Sequence, residues 1–150
     1  MNVNSLNHVS SFKRLDGWEN RLAAEIVRSS TLPFVFGSHD CCMFVANCIQ
    51  AMVQQDVVSE WRRYKSKSRA TYLLNKHGGV IGIASKIAKD LDYHEIRPSF
   101  ASPGDVCIAE YKETQFMGLV DLTGRNILVA HDPGVYSYPH SYGVKAWRVG

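Results

Sequence analysis

The sequence lacks any apolar run long enough to cross a bilayer. Its longest, around Cys41–Ala46, falls far short of the roughly 18–20 residues that a membrane span needs. The first thirty residues also lack a signal-peptide core: Val3, Leu6 and Val9 are scattered among Asn and Ser, and charges follow at once. The expectation is a protein that is neither exported through a cleaved leader nor anchored in a membrane. There is no CxxC pair and no HxxxH pair, so His39, Cys42 and Cys48, though near one another, do not predict zinc, and no cofactor is expected. Internal repeats and low-complexity segments are absent as well.

Cysteine is present, but not as a disulfide framework. Cys41, Cys42 and Cys48 fall within one apolar segment, Cys107 stands alone, and a bridge between the adjacent Cys41 and Cys42 would be strained. Reduced thiols in a protein made in the cytoplasm fit this pattern. The 150 residues suffice for one domain with a core of its own, and 45% hydrophobic against 21% charged residues argues for a folded chain. The net charge of +3 is local. Arg62, Arg63, Lys65, Lys67 and Arg69 hold five of the 17 basic residues, and the other 12 face 14 acidic ones. Such a run reads first as a solvated helix face. Binding of nucleic acid or another anionic surface through Arg62–Arg69 is the alternative, although aromatics flank the run at Trp61 and Tyr64 without alternating through it.

Periodicity divides the chain in two. Asp16 and Glu19 resemble a capping box ahead of Trp18, Leu22 and Ile26, which recur on one helical face. Pro33 and Gly37 interrupt the next stretch. A second helix is predicted from Cys41 to Gln54, with Phe44, Val45, Cys48, Ile49 and Met52 as its buried stripe and Ser38 or Asp40 as its cap. Further helices are predicted over Ser68–Lys76, stopped by Gly78 and Gly79, and over Ile81–Leu91. After Pro98 the segments Gly104–Tyr111, Gln115–Leu122, Asn126–His131, Gly134–Tyr138 and Val144–Val149 read as strands, with turns at Thr123–Asn126 and Asp132–Gly134. The pattern predicts an α+β domain over 13–150, with N-terminal helices packed on a C-terminal antiparallel meander. Residues 1–12, polar and rich in Asn and Ser, are expected to form a loose arm.

The sharpest chemical signal is Gly37-Ser38-His39-Asp40-Cys41-Cys42, which sets a thiol on the first turn of an apolar helix. Unpaired amides and the positive end of the helix dipole stabilise a thiolate there, and a histidine within reach would complete a nucleophile. The competing reading makes Cys41 a small core residue, and Cys42 fits either story. Asp105 reads as a residue that fixes a strand entrance. Tyr136, Tyr138, Tyr142 and Trp147 read as core and rim aromatics, with the tyrosines also suited to a protein contact. His77 and His94 need no role, and His140 is a weak candidate for the rim of the site.

The stretch Asp40-Cys41-Cys42-Met43-Phe44-Val45 resembles the Asp-Cys-Ser-Gly-Phe-Val motif of the NlpC/P60 superfamily, papain-like cysteine peptidases of cell-wall peptides, and keeps four of its six positions. Pro103-Gly104-Asp105-Val106 is similar to that family's Pro-Gly-Asp-Leu, Met117-Gly118-Leu119-Val120 to its Val-Gly-Ile-Tyr strand, and Leu128-Val129-Ala130-His131 to a short strand that ends in histidine. More closely, the chain resembles a family of phage and prophage proteins distantly related to NlpC/P60. Their shared features are Trp18-Glu19-Asn20-Arg21-Leu22, the pattern from Pro33 to Cys42 with its double cysteine, and Ala146-Trp147-Arg148. The likeness implies an NlpC/P60-like fold, Cys41 in the nucleophile position, and a place in tail-tip gene clusters. The chain would then sit in the virion tail, made in the host cytoplasm, with other tail-tip or hub proteins as partners and peptidoglycan as a further contact.

One departure decides the functional expectation. The position that carries the catalytic histidine in active members is Phe116, which neither accepts a proton nor orients a thiol. His131 falls near the third polar position, where it is a possible base or orienter, and His39 is a weaker alternative base. The expectation is a tail-tip or tail-assembly protein with a degenerate, non-catalytic peptidase-like fold. Its main alternative is an active cysteine peptidase or amidase that cuts peptidoglycan peptides during phage entry.

Overall fold

A computed structural model describes residues 12–59, 61, 64–131 and 134–150. Among the described residues four α-helices come first: α1 (Trp18–Ser30), α2 (Cys41–Val53), α3 (Lys67–His77) and α4 (Gly79–Asp90). Six strands follow: β1 (Glu95–Ile96), β2 (Val106–Tyr111), β3 (Thr114–Val120), β4 (Asn126–Ala130), β5 (Val135–Pro139) and β6 (Gly143–Trp147). They form one sheet in the order β1-β6-β2-β3-β4-β5, antiparallel at every pairing. The α+β class with helices before sheet is therefore observed, and the five expected strands stand within two residues of their predicted bounds. The sixth strand, β1, is only two residues long and carries too little pattern to read.

The helix starts differ in what caps them. At α2 the Asp40 side chain accepts from the Met43 amide at 2.9 Å, which settles the cap in favour of Asp40 over Ser38. At α1 the expected Asp16 cap is corrected. The chain enters through Gly17, at φ 80°, and no side chain caps the first turn. Gly78 (φ 81°) closes α3 and opens α4 at once, so Gly79 is the first residue of a helix rather than part of a stop. Only a residue without Cβ takes that left-handed joint at little cost. Phe12, assigned to the loose arm, packs against the core, and its carbonyl accepts from the Tyr93 hydroxyl at 2.7 Å. Residues 1–11 of the expected arm, Arg62 and Arg63 of the basic run, and Asp132 and Pro133 of the last turn lie outside the described residues.

Side chains alternate across the sheet, so its two faces have different cores. Met117 and Leu119 of β3 join Ala130 and Trp147 under the helices, with Leu22, Phe44, Cys48 and Met52 opposite. Val120 joins Cys107, Ala109, Ile127, Val129 and Ala146 on the other face, which is equally buried, with Ala101 and the Cys41 end of α2 packed against it. The sheet contributes to that cover through its own curvature. A Cβ built on Gly143 of β6 would lie 3.4 Å from Ile127 Cδ1 of β4, although β2 and β3 stand between those strands. In a flat sheet three strand spacings would separate them by about 14 Å. The strands therefore curl into a trough. The His140 amide extends the β4–β5 hairpin by donating to the Arg125 carbonyl at 2.9 Å, and the His140 ring meets the Ala101 carbonyl at 2.9 Å.

The two ends of the described chain meet at Asp105. This carboxylate is fully buried and accepts from Arg14 at 2.8 Å, Arg148 at 3.2 Å, the Ser102 amide at 2.9 Å and the Val149 amide at 3.1 Å. Arg14 also donates to the carbonyls of Val149 and Pro103. Asp105 thus fixes the entrance to β2, as read from the sequence. Asp105→Ala leaves two guanidinium groups facing a buried gap. It is expected to lower the unfolding free energy by about 3–5 kcal/mol, read from the urea midpoint. A loss below about 1 kcal/mol would show that these ends are held by something else.

Candidate functional site

The residues before α2 set the position of its thiols. Val35 and His39 form a tight isolated bridge, with the His39 amide donating to the Val35 carbonyl at 2.7 Å and the reverse bond at 2.8 Å. Gly37, at φ 84°, makes the turn inside it. The chain then passes through Asp40 in an extended conformation and starts the helix at Cys41. Asp40 is buried and bonded at both oxygens: one takes the Met43 amide, the other the Gly37 amide at 2.9 Å and the Tyr64 hydroxyl. Burial, followed by the negative charge of Asp40, raises the Tyr64 phenol well above its ordinary value, so it stays a donor. From the sequence Tyr64 reads only as an aromatic flanking the basic run. It lies 24 residues away in a basic stretch, where nothing marks it as a partner of Asp40.

Cys41 and Cys42 are half-buried, and their sulfurs are 3.9 Å apart. The contact is unequal. The neighbouring Cys42 thiol and the backbone amide of Met117 hold the Cys41 thiol below its ordinary value, against burial and the charge of Asp40. The same contact, together with burial, pushes Cys42 well up. Met117 is within reach because β3 pairs with β4 only at Leu119 and Val120, which leaves the first half of that strand edge open. Cys48 is buried in the core, and burial raises its thiol too; Cys107 is pushed up to about 12 by burial and then by Asp105. All four cysteines are free. Cys41 is thus the one thiol with amide and thiol donors around it.

Phe116 and His131 come together, with ring centroids 4.6 Å apart and planes at 72°. Phe116 also stacks on Tyr138 at 5.8 Å, and the Tyr138 hydroxyl bonds His131 Nε2 at 3.0 Å. Cys41 packs against the same inner core of the sheet as Phe116 and Tyr138. His131 is consequently part of an aromatic cluster, and desolvation lowers its pKa. No imidazole is hydrogen-bonded to Cys41 among the described residues. His39 does not serve the thiol either. Its ring is edge-on to Phe44 at 6.4 Å, it is buried, and neither ring nitrogen has a partner. Burial and then Arg28 lower its pKa. His77 packs on Trp61 at 4.9 Å, and His140 meets the Ala101 carbonyl.

Two other features surround the thiols. Along the same face of the sheet as this inner core, Tyr111, Tyr138 and Tyr142 form a continuous aromatic cluster, with Tyr111 and Tyr142 stacked at 5.9 Å and Tyr136 exposed nearby. Toward the helices, Cys41 and Cys42 line an apolar cavity of about 120 Å³ that continues between α2 and α4. Trp147 belongs to the core rather than to the tyrosine face. In the basic run, Lys65, Lys67 and Arg69 are exposed, and Arg69 lies over the Tyr72 ring at 4.6 Å, as a solvated face would. Among the described residues no group of three or more His, Cys, Asp or Glu side chains converges to hold a metal ion, and no helix is long and apolar enough to cross a membrane.

These features define an α+β protein with a helix-start thiol and an aromatic residue beside it. The chain belongs to the family described as Domain of unknown function (DUF6950), which matches residues 13–149. No curated protein and no solved structure matches it.

The orphaned imidazole of His39 yields a pH prediction. Its folded pKa is lowered below the ordinary value of 6.5, so the unfolded chain binds the proton more readily. The stability that depends on a neutral His39 is complete above about pH 6.5 and is lost as pH falls through the folded pKa. His39→Phe, which removes both unpaired nitrogens, is expected to match or exceed the wild type at pH 8. Its advantage should grow to about 1–2 kcal/mol at pH 5 in urea unfolding. A parallel fall of both proteins with pH would show that His39 is not the titrating group.

Proposed function

We propose that this chain is a degenerate papain-like domain, related to the NlpC/P60 peptidases, that serves as a non-catalytic structural component of a phage tail tip. The observation that carries the non-catalytic part is the surroundings of Cys41. Its thiol meets Cys42 and the Met117 amide, while Phe116 occupies the position where the resemblance expects histidine. Acyl transfer needs a base to take the thiol proton and an acid to protonate the leaving amine. His131 is bonded to Tyr138 instead. The helix-start thiol, the Asp40 cap and the order of helices before sheet support descent from the peptidase frame. The tail role follows from the resemblance to phage proteins. The exposed Tyr111, Tyr136 and Tyr142 suit contact with other tail-tip proteins, since aromatic residues are enriched in such interfaces.

Two measurements test this reading. Purified protein and Cys41→Ala, each incubated with muropeptides, are expected to release nothing; cysteine-dependent release of peptide would establish the peptidase alternative. Phe116→His is expected to put an imidazole next to the thiol. Iodoacetamide alkylation of Cys41 near pH 7 should then rise about tenfold, with the midpoint of its pH profile shifted down. Unchanged alkylation in a folded Phe116→His protein would remove Phe116 as the lost base position. Co-expression with tail-tip proteins should yield a complex on gel filtration, and a chain that elutes alone in their presence counts against the tail assignment.

A further inference from the structure

Protein interiors are close-packed, with few voids larger than one water molecule. The cavity of about 120 Å³ beneath the thiols is therefore a feature to be explained. It follows α2 from Cys41 to Ile49 and α4 from Ile83 to Leu91. Each stretch is two helical turns, about 12 Å at 1.5 Å per residue. The lining thus runs along both helices, an elongated apolar site that suits a hydrocarbon chain. The space exists because the walls carry small residues where the helices face each other: Ala46 on α2, Ala84 and Ala88 on α4. The polar wall groups Asp40 and Tyr64 bond each other and the Tyr93 hydroxyl donates to the Phe12 carbonyl, so the wall offers a mostly apolar surface that an apolar ligand can fill.

The channel has a charged approach on one side. Phe34, Phe36, Trp61 and Leu73 line it and are half-buried, which places its mouth between the loop before α2 and the start of α3. Lys67 shares a face of α3 with Ala70 and Leu74, which both line the channel, and Lys65 directly follows Tyr64. Both lysines are exposed, and no acidic residue occurs from Tyr64 to His77. We infer that the channel between α2 and α4 binds the hydrocarbon tail of a free medium-chain fatty acid, whose carboxylate sits at the mouth beside Lys65 and Lys67. The basic run thus gains a role at the entrance to an apolar site, separate from any activity of Cys41.

Trp61 near the mouth and Trp147 at the inner wall allow the ligand to be followed by fluorescence. Titration of the full chain with 8-bromooctanoate is expected to quench tryptophan emission saturably, through the bromine at the chain end. Octanoate should reverse the quench, and quenching should persist in Trp61→Phe because Trp147 remains in the wall. Ala84→Phe, which fills the channel, should abolish it in a protein whose circular dichroism is unchanged. Lys65→Glu with Lys67→Glu should raise the apparent Kd for octanoate about fivefold and leave that for octanol unaltered. Non-saturable quenching, quenching that octanoate does not reverse, or full quenching in folded Ala84→Phe overturns the site. Should Ala84→Phe not fold, the octanoate competition alone decides. Displacement by octanol as effective as by octanoate, with the lysines intact, overturns the carboxylate position.

Discussion

The buried carboxylate of Asp40 is the constraint on which the helical half depends. A carboxylate taken out of water costs several kcal/mol unless donors replace its hydration. Here two backbone amides and a phenol do so, at the end of a helix whose dipole favours negative charge. Each donor belongs to a different piece of chain. Gly37 comes from the turn before α2, Met43 from its first turn, and Tyr64 from the segment that leads to α3. One side chain therefore fixes where α2 starts, how the preceding loop lies, and how the wall of the channel closes. The Cys41 and Cys42 thiols are placed as a consequence, because they are the next two residues on that turn.

Asp105 has the equivalent role for the sheet, with arginines in place of amides. Arg14 and Arg148 bring the first described residues and the last strand to one carboxylate at the start of β2. The curl of the sheet helps its own side chains bury its inner face, and the aromatic cluster of Phe116, His131 and Tyr138 packs beside that inner core. This packing explains the chemistry next to Cys41. A ring at position 116 that stacks on Tyr138 and meets His131 edge-on gives dispersion and quadrupole contacts, but it offers the thiol no proton acceptor. Desolvation in the same cluster keeps His131 neutral over a wider pH range, and its Nε2 is already committed to Tyr138.

Much of this was legible from the sequence, and what was not has specific causes. The start of α2 could be read because Asp40 before an apolar run is a cap with a mechanism, and the strands because Gly and Asn-rich turns separate short Val, Ile and aromatic segments. The cap of α1 was misread because Asp16 has the right chemistry while Gly17 takes the backbone conformation that the entry requires. Phe12 was assigned to an arm because its neighbours are polar, although its own ring and carbonyl are held by the core and by Tyr93. The pairing of Phe116 with His131 was accessible through the family resemblance. Tyr64, the Met117 amide and the burial of His39 were not, since each depends on contacts between segments that no local pattern links. The channel was invisible for a further reason: it is made of absent atoms, and three alanines on two helices look like ordinary helix formers.

That absence has an energetic sign. At about 24 cal/mol per Å³, an unfilled void of this size costs about 3 kcal/mol, a large share of the roughly 5–15 kcal/mol that a domain has in total. Larger side chains at Ala46, Ala84 or Ala88 would remove that cost, and each is a single substitution away from filling the space. A void that stays open while the Asp40 network in its wall is fully bonded is not explained by loose packing in general. It lies between the thiols and Lys65 and Lys67, where an apolar chain regains the lost contacts on binding. The same chain would stabilise the folded state by mass action, so that occupancy and the position of α4 against α2 become linked. Cys42, in the wall and with its thiol held protonated by Cys41 and by burial, adds an apolar surface to that channel rather than a second nucleophile.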